Sequence, residues 1–239
     1  MRKTISIITA FIFTISCFFG VSARNAMQTD THSSSSAEIN AERPLAHKVL
    51  FIGDSMTGWM AERMNAYGAS NGFDVAAVVW DGSTINKWAA NASRLSQYIA
   101  QTNPDVIFVS LGLNDLAEKN PESRLGASVA KIRKAAGNIP VIWVGPPSWP
   151  GKPWGEPLNG WLADTMGAGH YFTSLPLKLS RQSATNPHPS RDGINVWMDA
   201  LMEWMPEHAA IRLPGYHKPS GTQFSRPKTF IYKKMKQPL

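Results

Sequence analysis

Val49-Leu50-Phe51-Ile52-Gly53-Asp54-Ser55 decides how this 239-residue chain is read. Four apolar residues in a row, with no polar alternation, form the pattern of a short strand buried on both faces. The glycine and aspartate that follow are turn formers. The strand therefore ends near Gly53 and delivers Ser55 to the point where the chain reverses. Residues 75–80, 106–111 and 141–144 repeat the apolar, β-branched pattern of residues 48–52. Between them the spacing is helical. Trp88, Ala92, Leu95 and Ile99 draw one apolar stripe, and Ile194, Trp197, Leu201 and Trp204 draw another. Strands alternating with such helices predict an α/β fold whose parallel sheet is covered on both sides. Such sheets bind ligands outside the carboxyl ends of their strands, where Ser55 would sit.

Three further blocks follow in chain order: Gly82, Gly112-Leu113-Asn114-Asp115, and His188-Pro189. Alone, each is a common turn or loop element. Together, Ser55, Gly82, Asn114 and His188 resemble the SGNH (GDSL-type) hydrolase superfamily over residues 48–205. The resemblance implies a flavodoxin-like three-layer α/β/α sandwich with a central parallel sheet. It implies a serine esterase that needs no metal or organic cofactor.

The chemistry can be stated residue by residue. Ser55 would be the nucleophile, and a serine hydroxyl needs a base within hydrogen-bond reach. His188 is the candidate base, in a loop directly before the last helix. The oxyanion of an acyl-transfer intermediate needs preorganised donors. The candidates are the backbone N–H groups of Ser55 and Gly82 and the side-chain amide of Asn114, each following a predicted strand.

One departure matters. The superfamily pattern places an aspartate three residues before the histidine, and here that position is Thr185. His188 would then work in a Ser–His dyad, oriented by Thr185 or by a backbone carbonyl, or the enzyme would be impaired. A second register, Asp192-Gly193-Ile194-Asn195, restores the aspartate but replaces the histidine with Asn195, which cannot act as a base. The first register keeps the histidine, the proline and the helix phase, with Ser190 as N-cap and Asp192 in the first turn. Trp149 and Trp154, in the Trp- and Pro-rich segment that follows residues 141–144, are the candidate substrate loop. They would stack on a sugar, pack an acyl chain, or simply hold the loop to the domain.

The rest of the chain bounds the setting. Arg2-Lys3, an apolar run over residues 5–21 and Val21-Ser22-Ala23 read as a secretory signal peptide over residues 1–23. An uncleaved membrane anchor is the competing reading. Cys17 is the sole cysteine, so a mature chain would hold no disulfide, no cysteine nucleophile and no cysteine-ligated zinc. Residues 24–46, with Ser33-Ser34-Ser35-Ser36, read as a polar flexible linker, and residues 47–208 as the catalytic domain. The net charge of +7 resides in residues 209–239, which carry seven Lys/Arg and no acid. That segment is expected to be a basic, partly disordered tail, with a short apolar run at 229–232 that could add an edge strand or dock on the surface. Such a tail suits an anionic envelope surface; an exported protein has no call for nucleic acid. The expected function is hydrolysis of small acyl esters, chiefly O-acetyl groups on a glycan. The alternatives are a lipase, lysophospholipase or thioesterase, an O-acetyltransferase, and a glycan-binding protein without turnover.

Overall fold

Strand β1 (Lys48–Gly53) lies at the heart of the molecule because nothing in it beyond Lys48 tolerates water: Leu50, Phe51 and Ile52 are fully buried. A computed structural model describes residues 43–239. The expected signal peptide and residues 24–42 of the expected linker lie outside the described residues. β1 is flanked by β2 (Asp74–Trp80) and β3 (Val106–Ser110), and the sheet continues through β4 (Val141–Val144) and β5 (Tyr171–Phe172). With β6 (Thr229–Lys233) the strand order is β5-β4-β3-β1-β2-β6, every pairing parallel. The order reverses at β1, so a crevice opens at the carboxyl ends of β1 and β3, the switch point of a doubly wound sheet. In register, Gly53 lies opposite both Val79 and Ser110, which brings the ends of three strands level.

Helices cover both faces, as the pattern predicts for a three-layer sandwich. α1 (Thr57–Asn71) packs against α6 (Arg191–His208). On the other side α2 (Ile85–Ala90), α3 (Ala92–Thr102), α4 (Pro121–Ala136) and α5 (Glu156–Met166) pack on one another. The predicted stripe from Trp88 to Ile99 belongs to two helices rather than one. Asn91 breaks it, its side-chain amide donating to the Lys87 carbonyl at 2.9 Å while its backbone leaves the helical region at φ −110°. α6 starts as read, with the Ser190 hydroxyl accepting from Gly193 N–H at 3.2 Å and Asp192 in the first turn.

The chain beyond residue 208 is more ordered than expected, and its short apolar run supplies the edge strand that the sequence allowed. It is not a loose tail: β6 (Thr229–Lys233) pairs in parallel with β2 and forms the outer strand of the sheet. The domain therefore runs past the expected boundary, and the reason is a buried cation. Arg63 of α1, with no exposed surface, donates to the carbonyls of Pro219 (3.0 Å), Ser220 (2.5 Å) and Gln223 (3.2 Å). It also meets Asp199 of α6 at 3.0 Å. Asp199 accepts from Tyr67 Oη at 2.6 Å and lies 2.7 Å from Lys218 Nζ. Burial alone would raise the Asp199 pKa, but Lys218, Tyr67 and Arg63 together hold it below the ordinary carboxylate value. At the other end, Ala46 and Leu45 reach the segment after α6 through Ala46 N–H to Arg212 O (2.8 Å) and the Leu45–Arg212 bridge. The last residues of the expected linker are thus part of the domain.

Removing Arg63 takes a buried donor from three carbonyls and from Asp199. Arg63→Ala should lower the unfolding free energy by roughly 3–5 kcal/mol. Arg124→Ala, whose pair with Glu118 is surface-exposed, should cost no more than about 1 kcal/mol. Denaturant unfolding followed by tryptophan fluorescence measures both, and equal losses would show that the clamp carries no special weight.

Candidate active site

The turn after β1 is possible only because residue 53 has no side chain. A Cβ at Gly53 would lie 2.1 Å from the Ser110 carbonyl oxygen of β3 and 2.2 Å from Thr57 Oγ1. Asp54 then closes the turn. Its N–H donates to Ser110 O at 3.2 Å, its Oδ1 accepts from Met56 N–H at 2.9 Å, and its carbonyl accepts from Thr57 N–H at 3.1 Å. Ser55 is thereby held at the mouth of the crevice, just ahead of α1.

The Ser55 hydroxyl meets Nε2 of His188 at 2.9 Å. The histidine loop is braced on both sides. Gln182 N–H donates to His188 O at 3.0 Å, Ser190 N–H to Ser180 O at 2.9 Å, and Arg181 bonds the carbonyls of Pro187 and, at 2.8 Å, Ser148. Asn195, the alternative to His188, is one turn into α6, where its amide donates to Gly221 O at 2.8 Å. The register that keeps the histidine is therefore the one that reaches Ser55.

The orienting partner is not Thr185, which is exposed and makes no bond to the ring. It is not a backbone carbonyl either. Asn186 Oδ1 lies 2.7 Å from His188 Nδ1 and accepts from the His188 backbone N–H at 2.9 Å. A backbone N–H can only donate, so the facing Asn186 atom must be oxygen. That oxygen can only accept, so Nδ1 carries the ring proton and Nε2 is left free to accept from Ser55. The signal in the sequence was Asn186-Pro187-His188, a side-chain-to-backbone turn in which asparagine bonds two residues ahead. Counting three residues back from the histidine passes over it. Burial lowers the His188 pKa below its ordinary value; the Asp81 carboxylate pulls it back up and the Arg181 guanidinium pushes it further down.

The three candidate oxyanion donors lie at the ends of β1, β2 and β3. Gly82 adopts φ +58°, a left-handed turn that favours glycine. Neither the Ser55 nor the Gly82 N–H donates to a protein acceptor among the described residues. Asn114, in the 3₁₀ turn Leu113–Asp115, donates from Nδ2 to Ser83 O at 2.8 Å and touches Asp54 Oδ2 at 3.4 Å. It thus ties the Ser55 turn to the Gly82 turn while keeping its second N–H only weakly engaged. Asp115 anchors the same loop by accepting from Ile85 N–H at 3.0 Å. Asp54 is fully buried, and its pKa is pushed up to about 7, chiefly by burial and further by Asp115 and Asp81, against the Met56 N–H bond. No three His, Cys, Asp or Glu side chains among the described residues cluster to hold a metal ion.

A cavity of ≈ 420 Å³ opens beside Ser55 and His188, lined also by Trp59, Glu62, Asp81, Arg226, Phe230 and Tyr232. Trp149 and Trp154 are absent from its lining. They pack on each other, ring centres 6.0 Å apart, with Lys152 over Trp154. Their loop reaches the site only indirectly, through the Arg181 bond to Ser148. The tail residues of the cavity wall were not legible in the sequence.

The profile of the GDSL-like Lipase/Acylhydrolase family matches residues 51–210. No curated protein matches the sequence. Among solved structures, a G-D-S-L family protein from Desulfitobacterium hafniense DCB-2 superposes with a TM-score of 0.50 at 17% identity, covering 65% of this chain and 97% of its own. A family 3 carbohydrate esterase from Clostridium thermocellum gives 0.46 at 18% identity, covering 66% and 94%. At such identities the likeness of the first is one of fold.

Two titrations check the electrostatics. By NMR, the His188 ring should titrate below the ordinary imidazole value of about 6.5, and Asn186→Asp should move that midpoint upward, because a carboxylate favours the charged ring. A midpoint that stayed put would mean that position 186 does not face the ring. For Asp54 the folded pKa lies above the unfolded one, so its proton stabilises the fold in acid and that contribution is lost as pH rises from 3.8 through about 7. Asp54→Asn should flatten this slope in unfolding experiments run across the same range.

Proposed function

The chain belongs to the GDSL-like lipase/acylhydrolase family of ester-hydrolysing enzymes, and on that premise we propose that Ser55 and His188 form its catalytic dyad, with Asn186 as the positioning residue. In this reading Ser55 Oγ attacks the ester carbonyl as Nε2 of His188 takes its proton. The oxyanion is received by the N–H groups of Ser55 and Gly82 and by Asn114 Nδ2. The imidazolium returns its proton to the leaving alcohol. Water then attacks the acyl-serine with His188 again as base, releasing the acid and restoring Ser55.

The observation that carries the reading is the 2.9 Å contact from Ser55 Oγ to His188 Nε2. The missing aspartate is a smaller obstacle than its absence suggests. In full Ser-His-Asp triads, replacing the aspartate by asparagine costs about ten-thousandfold because the ring takes the wrong tautomer. Here the His188 backbone N–H fixes the Asn186 oxygen toward Nδ1, which supports the correct tautomer. An amide still supplies no charge to stabilise the imidazolium, so turnover below that of full triads is the expectation. Because the base must be neutral, and burial lowers its pKa, activity should persist into mildly acidic solution.

The substrate in this reading is a small acyl ester, an O-acetyl group borne by a glycan, and the polar, aromatic-lined cavity supports it. The enzyme would meet that glycan outside the cytoplasm, a reading that rests on Arg2-Lys3 and the apolar run after it. The basic residues of the C-terminal segment would favour an anionic envelope surface.

Hydrolysis of p-nitrophenyl acetate by the full chain tests the dyad. Ser55→Ala and His188→Ala should each lower kcat by at least about a thousandfold. Full activity in Ser55→Ala would end the assignment.

A further inference from the structure

The family match stops at residue 210, yet one side of the cavity beside Ser55 is built by residues beyond it. Arg226, Phe230 and Tyr232 line the cavity together with Trp59 and Glu62 of α1. That wall therefore lies outside the span that the family model matches.

It is also held firmly against the catalytic elements. Arg226 Nη2 lies 3.3 Å from Glu62 Oε1, and its guanidinium sits 4.8 Å over the Phe230 ring. Ser225 N–H donates to Glu62 O at 3.1 Å, and Asn65 Nδ2 to Ser225 Oγ at 3.0 Å. The Tyr232 hydroxyl donates to Asp81, the residue next to Gly82. Asp81 N–H in turn donates to Lys233 O at 2.9 Å. The wall is thus fastened both to α1, which follows the serine, and to the loop bearing a candidate oxyanion donor.

We propose that this C-terminal strand is the specificity wall of the site, and that the ester it selects is one carried on a saccharide ring. The proposal rests on the dyad and the glycan ester described above and adds to them the wall that selects the substrate. The chemistry of the lining argues the point. Trp59 and Phe230 each carry a guanidinium over one ring face, of Arg191 and of Arg226, and offer their remaining aromatic surface, while Glu62, Asp81, Gln182, Arg226 and the Tyr232 hydroxyl offer donors and acceptors. An alkyl chain filling this space would strip water from two carboxylates and a guanidinium and return no hydrogen bonds. A saccharide satisfies both halves of the wall: its C–H face lies on an aromatic ring, and its hydroxyls bond to carboxylate, amide and guanidinium.

Arg226 and Tyr232 are the residues to change, since their side chains are largely exposed and can be shortened without leaving a hole in the core. Wild type, Arg226→Ala and Tyr232→Ala are compared, as full chains, on glucose pentaacetate, p-nitrophenyl acetate and p-nitrophenyl octanoate. The ratio of kcat/KM for the acetylated sugar to that for p-nitrophenyl acetate should fall about tenfold or more in each variant, the scale of one lost hydrogen bond to a charged group. The octanoate-to-acetate ratio should not fall with it. An unchanged sugar ratio overturns the proposal, and so does a fall confined to octanoate, which would make the wall an acyl-chain site. If either alanine variant does not fold, Arg226→Gln and Tyr232→Phe carry the same expectation. Failure of the dyad itself would look different, because Ser55→Ala would then retain activity on all three esters.

Discussion

The close approach of β1 to β3 at Gly53 is the constraint on which the site depends. The Ser110 carbonyl oxygen occupies the space that any side chain at position 53 would need. That contact lets Asp54 N–H reach the same carbonyl and turns the chain at once into α1. Without it the strand would have to run on or splay from β3, and Ser55 would leave the crevice. The cost of the arrangement is visible one residue later, where the turn buries the Asp54 carboxyl completely. Its backbone bond to Met56 and its neighbours Asp115 and Asp81 pull its proton affinity in opposite directions, and burial wins.

The histidine loop shows how one residue can take over part of another's role. A carboxylate beside an imidazole does two things: it selects the tautomer by accepting from Nδ1, and it stabilises the charged ring. Asn186 can do the first, because its oxygen is locked by the His188 backbone N–H. It cannot do the second. The acid that acts on the ring is Asp81, which raises the His188 pKa against the larger effect of burial. Tautomer and charge, usually supplied by one side chain, are therefore divided between a local turn and the end of β2.

The C-terminal segment joins the fold through a chain of dependent contacts. Arg63 and Asp199 meet between α1 and α6, and the same guanidinium gathers the carbonyls of residues 219, 220 and 223. This fixes the strand that follows at the free edge of β2. β6 covers an edge that would otherwise expose unpaired backbone groups, and it carries Phe230 and Tyr232 to the cavity. Stability and the shape of the site thus share one anchor, which explains why a segment with no acid and many prolines and glycines is ordered at all.

The sequence by itself determined the four central strands β1–β4, the helical stripes of α2, α3 and α6, and the ends of the strands at which Ser55, Gly82 and Asn114 stand. Those features follow from patterns within a few residues: buried strands are continuously apolar, helices repeat every three or four residues, and turns need glycine. Only the tertiary structure decided that His188 rather than Asn195 reaches the serine, that Asn186 rather than Thr185 orients the ring, and that Arg226 and Tyr232 rather than Trp149 and Trp154 line the cavity. These outcomes depend on where loops from distant parts of the chain meet. A buried arginine that binds backbone carbonyls leaves no periodic trace, because any residue offers a carbonyl. The segment after α6 therefore reads as a tail until Arg63 is seen to hold it.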